Sequence, residues 1–471
     1  MTTANALDRG REAFRWQAWG DAYAELSAAD HDSPLTPEDL ERLAVAAYLV
    51  GRDEESVDVW ARAHHEWARR GDTERAARCA FWLAFALLNK GELARGGGWV
   101  DRAQRLLDGS GLDCVEQGRL RYLSALRQVF EGDAAAGHAG FAQAAAIGER
   151  FRDLELTTLA RIGQGRCLIY LGEIATGVAL LDEAMVAVTA REVSPVAVGD
   201  AYCTVIEGCQ ELFDLRRAHE WTAALSHWCD AQPDLVLYRG QCLVHRAELM
   251  QLHGAWSDAM DELQRALDRL AQPAGPRVLG AALYLKAELH RLRGEVGKAE
   301  EAYRQANRMG REPQPGLALL RLAQGQVDAA NAAIRRALDE AQDPVTRSRL
   351  LAPYVEIALA CGDAGAARAA ADELSHIAAE LKAPFLRALS AHATGSVFLA
   401  EGNPRAALAA LRQAWAGWRE LDVPYGAARV RVLIGLVCRA LGDEDGAELE
   451  LDAARSVFHQ LGAAPDLARV E

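Results

Sequence analysis

Three glutamates, Glu207, Glu248 and Glu288, recur 41 and 40 residues apart. Carboxylates repeated at constant spacing can line one surface, where they hold a cation through charge-assisted hydrogen bonds or exchange protons. Arg166 stands 41 residues ahead of the first. Gln210, Gln241, His245 and Tyr284 each lie within seven residues of one of the three. Residues 200 to 256 also hold four of the twelve His, four of the nine Cys and three of the eleven Trp. Trp221 and Trp228, seven apart, share a helix face. Together Arg166, Glu207, Gln210, Gln241, His245, Glu248, Tyr284 and Glu288 read as a ligand-binding set, suited to a cationic small molecule or a basic peptide. Nearby aromatics would add stacking or cation–π contact. The competing reading pairs these glutamates with Arg161, Arg239 and Arg246 on adjacent elements and leaves the aromatics to fill helix interfaces.

Other chemistry finds less support. Cys242-x-x-His245 and His64-His65 offer two ligands each, whereas a structural zinc site needs four. No GxSxG, HExxH, GxGxxG with strand context or GxxxxGK[ST] motif occurs. Gly96 to Gly98 fall inside a helical pattern and read as close packing. The expectation is therefore no metal, no cofactor and no enzyme. A solenoid reused as an enzyme, with the three glutamates doing acid–base work, is the third reading.

The elements that must position these residues are repeats. A Gly followed by a polar residue, between two amphipathic runs, recurs at Gly20, Gly51, Gly91, Gly132, Gly172, Gly254, Gly294, Gly325, Gly362, Gly402 and Gly442, with Phe213 in the one remaining slot. Most spacings are 40 or 41. Seven residues before each turn, ten of the twelve residues are Ala or Gly; five after it, eleven are small. Two antiparallel helices approach closely only where side chains are small, and Gly supplies the left-handed residue that ends the first helix. Each unit is thus a helix–turn–helix hairpin that buries its apolar face only by stacking on neighbours. The fold expected is all-α: a right-handed superhelical solenoid of about twelve tetratricopeptide-like repeats over residues 1–471. Thr36-Pro37-Glu38-Asp39 and Asn403-Pro404 read as helix starts. Pro313 and Pro315 mark a break that would divide lobes 1–310 and 311–471. The residue six before each turn should line the concave groove; Glu356 joins Glu207, Glu248 and Glu288 in that register.

Composition narrows the class. A net charge of −15 repels phosphate backbones and argues against nucleic-acid binding by this chain. Nine Cys with no CxxC pair suit buried thiols in a reducing cytoplasm. The opening MTTANALDRGREAF has no signal-peptide core, and no membrane span is expected.

Several runs resemble a known family: ARCAFWLAFALLNKGE, VGDAYCTVIEGCQEL, YRGQCLVHRAELMQLHGAW, EAYRQANRMGREPQPGLALLRLAQGQ and RVLIGLVCRALGDEDGAELELDAARSVFHQLGAAPDLARVE. They are similar to the tetratricopeptide (maltose-activator-like) effector regions of LuxR-family transcriptional regulators. The resemblance implies a sensory effector module that binds a ligand or protein, here lacking its helix-turn-helix DNA-binding domain and nucleotide-binding module. The alternative is a stand-alone scaffold for protein–protein interaction; either reading admits a homodimer. The tail reads as a second helix ending near Leu461, a stop at Gly462 to Pro465, and a new helix capped by Asp466. A solenoid end of this kind resembles a cut ahead of a further domain.

Overall fold

The structure, a computed structural model, describes residues 3–232, 234–270 and 276–470. It contains 25 α-helices and, among the described residues, no strand. The first 24 form twelve hairpins, and a short helix, Ala464–Val470, follows. No described helix is long and apolar enough to cross a membrane. The architecture is an all-α array of tetratricopeptide-like hairpins.

Local chemistry explains the hairpins. Glycines in the left-handed region turn ten of them, from Gly51 to Gly442. At the sixth, Phe213 takes that conformation itself, with φ 55°, a strained choice for an aromatic residue. Its ring stacks on Phe385, centroids 4.9 Å apart and planes 8° from parallel. The first hairpin corrects the expected register. Gly20 lies inside the helix Trp19–Asp32, and the left-handed residue is Gln17, φ 59°. The small positions of that hairpin are therefore Gly10 and Ala22, not Ala13 and Glu25. Ala22 is fully buried, and a Cβ on Gly10 would lie 2.8 Å from Leu26. In the fifth hairpin the need for small residues is most direct: a Cβ on Gly165 would fall 2.8 Å from the Gly177 carbonyl, and one on Gly177 would fall 2.7 Å from that of Gly165.

The predicted helix starts are present. The Thr36 side chain accepts the Asp39 N–H, with Pro37 in the first helical turn. Asn403 accepts the Ala406 N–H ahead of Pro404. After Pro313 and Pro315 the first helix of hairpin 9 is only eight residues, Gly316–Ala323.

Two compact units are present. The first comprises Met1–Ile206, Trp221–Cys242 and Asp268–Pro276; the second comprises Glu207–Glu220, Leu243–Leu267 and Arg277–Glu471. The Pro313–Pro315 segment falls within the second. Hairpins 6 and 7 contribute residues to both.

Each unit closes on itself by the same rule. In the first, the turn of hairpin 2 meets the start of hairpin 7: the Leu49 carbonyl accepts the Val236 N–H at 3.0 Å. Trp19, 2 % exposed, donates its indole N–H to Gln232 at 2.7 Å. In the second, Phe213 of turn 6 stacks on Phe385 at the start of hairpin 11. Gly254 of turn 7 lies against Pro424 at the start of hairpin 12, and Gly294 of turn 8 lies against Pro465 of the helix that follows. In each of these contacts within a unit, turn n packs on the first helix of hairpin n + 5 or on the residue that leads into it. The first helices face inward: Arg349 reaches the Gln210 carbonyl 139 residues away, and Arg429 reaches Glu356 73 residues away.

Candidate functional site: the inner face of the second unit

Five of the eight sequence-predicted residues, Glu207, Gln210, Glu248, Tyr284 and Glu288, belong to the second unit and share one polar surface on its first helices. Glu248 is the centre. Among the described residues its carboxylate makes no hydrogen bond or ion pair. Burial raises its pKa, and the charges of Glu207 and Glu211 act in the same direction; Arg349 and Arg311 oppose. Neither arginine lies within ion-pair distance of a described carboxylate. Arg349 stands over the Phe213 ring at 5.4 Å and donates Nη2 to the Gln210 carbonyl at 3.0 Å, while its Nε has no partner. Arg311 stands over the Tyr284 ring at 5.3 Å. The Gln210 amide nitrogen is also buried without a partner.

Glu288 differs. Arg291 donates to it at 2.7 Å, and the Tyr303 hydroxyl also donates to it. Tyr284 packs its ring against Tyr303, centroids 5.7 Å apart, and the phenol pKa is raised by burial and by Glu288. Glu356 continues the row. Arg429 bonds it at 2.8 Å and holds its pKa below the ordinary value against the cost of burial. Glu356 and Arg429 are about one-third exposed, as side chains on a solvent-open inner face would be.

The other three sit elsewhere. Arg166 and Gln241 belong to the first unit. Arg166 donates to the Tyr170 hydroxyl at 2.7 Å and lies over that ring. His245 belongs to the second unit but is buried, 4 % exposed, with no partner for Nε2. Burial pulls its pKa down to about 4, so it is a neutral imidazole at pH 7.

The arginines expected to neutralise the glutamates have other partners. Arg161 bonds Glu149 and Glu183, and Arg246 bonds Glu262 at 2.8 Å. The Arg239 side chain lies outside the described residues. Sequence reasoning missed Arg349, Arg429, Arg311 and Glu211. Two of these were legible: Arg349 and Arg429 stand thirteen residues before Gly362 and Gly442, two helical turns from the six-before position and on the same face. Arg311 lies between hairpins, where the repeat register gives no guidance.

The remaining motifs are structural. His64 donates Nδ1 to the Ala76 carbonyl at 2.8 Å and accepts Arg102 Nε on Nε2 at 3.0 Å, which occupies both nitrogens of a neutral ring. Cys242 Sγ lies 3.3 Å from Ser226 Oγ. No group of three or more metal-ligating side chains occurs among the described residues. Gly96 packs under Leu88 as expected, whereas Gly97 and Gly98 face open space. Trp221 and Trp228 do share a face, each 6.5 Å from the Tyr202 ring.

No family model and no curated protein matches the chain. Among solved structures, the crystal structure of the APC/C hetero-tetramer Cut9–Hcn1 is similar at a TM-score of 0.40 and 14 % identity, over 98 % of this chain and 95 % of that one. The architecture read from the helices themselves, a tetratricopeptide-like α-solenoid, is what the chain shows.

Proposed function

We propose that the chain is a non-enzymatic binding module that captures a polypeptide segment on the inner face of its second unit. Concave faces of helical-repeat arrays are extended surfaces suited to such segments. The observation that carries the reading is Glu248: an interior carboxylate with no hydrogen-bond or ion-pair partner among the described residues, near Arg349, which meets a ring and a carbonyl, and Arg311, which stands over a ring. An unpaired interior charge is costly, and a bound group of opposite charge removes that cost. A lysine or arginine side chain of the segment meets Glu248, flanked by Glu207. An acidic side chain meets Arg349 and Arg311.

Selection of a random peptide library on the purified chain tests this. The expected outcome is enrichment of peptides carrying a basic residue, with binding at least about tenfold weaker in Glu248→Gln and no fall in the melting temperature. Enrichment without basic residues, or binding indifferent to Glu248→Gln, rejects the reading.

A second reading, the sensory effector module of a LuxR-type regulator, is favoured by the sequence runs quoted above. There the inner face takes a small cationic molecule, and two copies pair in a homodimer. Native mass spectrometry separates the readings: a retained small molecule and a twofold mass support the second.

A further inference from the structure

The outer face of the last two hairpins carries charge in a register of its own. On the second helix of hairpin 11, Pro404–Glu420, the residues Arg405, Leu408, Arg412, Trp415 and Arg419 follow at alternating steps of three and four. Residues so spaced share one face of a helix. The three arginines are exposed, and among the described residues none of their guanidinium groups makes a hydrogen bond or an ion pair. Leu408 and Trp415 are half-buried between them. Counted from the turn residue, the arginines stand three, ten and seventeen residues on, and no other hairpin has arginine at all three positions. On the second helix of hairpin 12, Glu444–Leu461, the first two of these positions are Asp445 and Asp452, with Glu448 between them, and all three are exposed. The third is His459. Leu449, 72 % exposed, lies on the same face. Among the described residues Asp445 and Glu448 make no hydrogen bond or ion pair through their side chains, and Asp452 meets Arg455 one turn on. The guanidinium groups of Arg419 and Arg431 each lie 5.2 Å from the Trp415 ring, and Arg431, on the first helix of hairpin 12, also reaches Glu450 at 3.3 Å. Arg431 thus bridges the two second helices, which sets a basic and an acidic stripe side by side.

We propose that these two stripes form an interface between two copies of this chain. A twofold axis along the helices, midway between the stripes, sets the basic stripe of each copy on the acidic stripe of the other and keeps the helix direction. Arg405 then meets Asp445 of the partner subunit, and Arg412 meets Asp452 of the partner subunit. Leu408 falls level with the exposed leucine, Leu449 of the partner subunit. Such a contact is self-complementary, as a twofold interface must be, and its charge pattern fixes register and orientation. Nucleic acid fits the arginines less well, because an acidic stripe adjoins them and the chain carries a net charge of −15. Exposed ion pairs are individually weak and screened by salt, so the dimer is salt-sensitive.

Sedimentation velocity of the intact chain over a concentration series is the primary test. A shift toward twice the chain mass with rising concentration, reversed at high salt, is expected. One chain mass at every concentration overturns the proposal and leaves the arginine stripe to an acidic segment of another protein. Two charge-reversed variants, each checked for an unchanged circular dichroism melt, locate the surface. One combines Arg405→Glu, Arg412→Glu and Arg419→Glu; the other combines Asp445→Lys, Glu448→Lys and Asp452→Lys. Each alone should self-associate at least about tenfold more weakly than the unchanged chain, and an equimolar mixture should recover the dimer. Unchanged self-association in both, or a mixture no stronger than its parts, overturns the assignment to these helices. Arg412→Glu alone changes one exposed position and reads the same effect in a smaller step should a triple variant melt early. The dimer uses outer helices and accompanies either reading of the inner face, between which the retained small molecule then decides. Glu248→Gln should leave it unchanged, so failure of either proposal leaves the other standing.

Discussion

The two units share a hairpin plan and a closure rule but place their interior charges differently. In the first, one buried group of charges is paired internally. Arg119, 7 % exposed, touches Glu116, Asp153 and Glu155 within 3.2 Å, and fully buried Glu116 also meets Arg78 at 2.9 Å. In the second, Glu288 and Glu356 are paired but Glu248 is not, and Arg349 and Arg311 turn toward rings. Register does not account for the difference, because the same face of the first helices is used in both units. The side chains placed on that face do.

The largest expected effects test the closures. Trp19→Ala removes a buried indole and its bond to Gln232, and it should destabilise the first unit by about 3–5 kcal/mol. Phe385→Ala removes the ring stacked on Phe213 and should cost the second unit about 2–4 kcal/mol. Hydrogen exchange followed by mass spectrometry reads both. Loss of protection confined to the mutated unit supports two cooperative units; uniform loss means one.

Acid separates the units next. Asp53, 4 % exposed, has a pKa pushed up to about 6 by burial, against Lys90. Folded chain binds this proton more tightly than unfolded chain, so the cost of ionising Asp53 is absent near pH 4 and complete above pH 6. Asp53→Asn should therefore stabilise the first unit at pH 7 by about 1–3 kcal/mol and do little at pH 4. His245 behaves in reverse. Its folded pKa lies near 4 against an ordinary 6.5, so unfolded chain takes the proton first. That stability is complete above pH 6.5 and falls by up to about 3 kcal/mol as pH drops to 4. Exchange measured from pH 7 to pH 4, corrected for the intrinsic rate, should show the second unit loosening while the first does not; the opposite order contradicts these assignments.

A smaller effect distinguishes the glutamates from one another. Glu288→Gln and Glu356→Gln break bonds to Arg291 and Arg429 and should cost about 1–2 kcal/mol each. Glu248→Gln removes an unpaired charge and should leave the melting temperature unchanged or slightly higher. Three equal losses would return Glu248 to the ion-pair reading. Least of all, Arg62→Ala at the partly exposed pair with Asp30 should cost no more than about 1 kcal/mol, and less at high salt.

The sequence by itself determined the fold class and the hairpins. Small residues seven before and five after each turn are a local requirement of close helix approach, and a left-handed turn residue is a local requirement of reversal. Both leave a mark at fixed spacing. Where the mark is degenerate the reading slipped: Gly20 imitated a turn that Gln17 makes, because Gln gives no sequence sign of a positive φ. The short final helix shows the same boundary. Asp466 reads as a cap, yet the helix begins at Ala464 and Asp466 instead accepts the Tyr425 hydroxyl at 2.9 Å. The row of glutamates was also legible, because the six-before register is set by helix geometry. Only the tertiary structure decided which turn meets which helix, which glutamates are neutralised, and which of the eight residues share a unit. Those outcomes depend on the superhelical pitch, the sum of small rotations from one hairpin to the next. No residue encodes that sum alone, so contacts five hairpins apart leave no periodic trace in the chain.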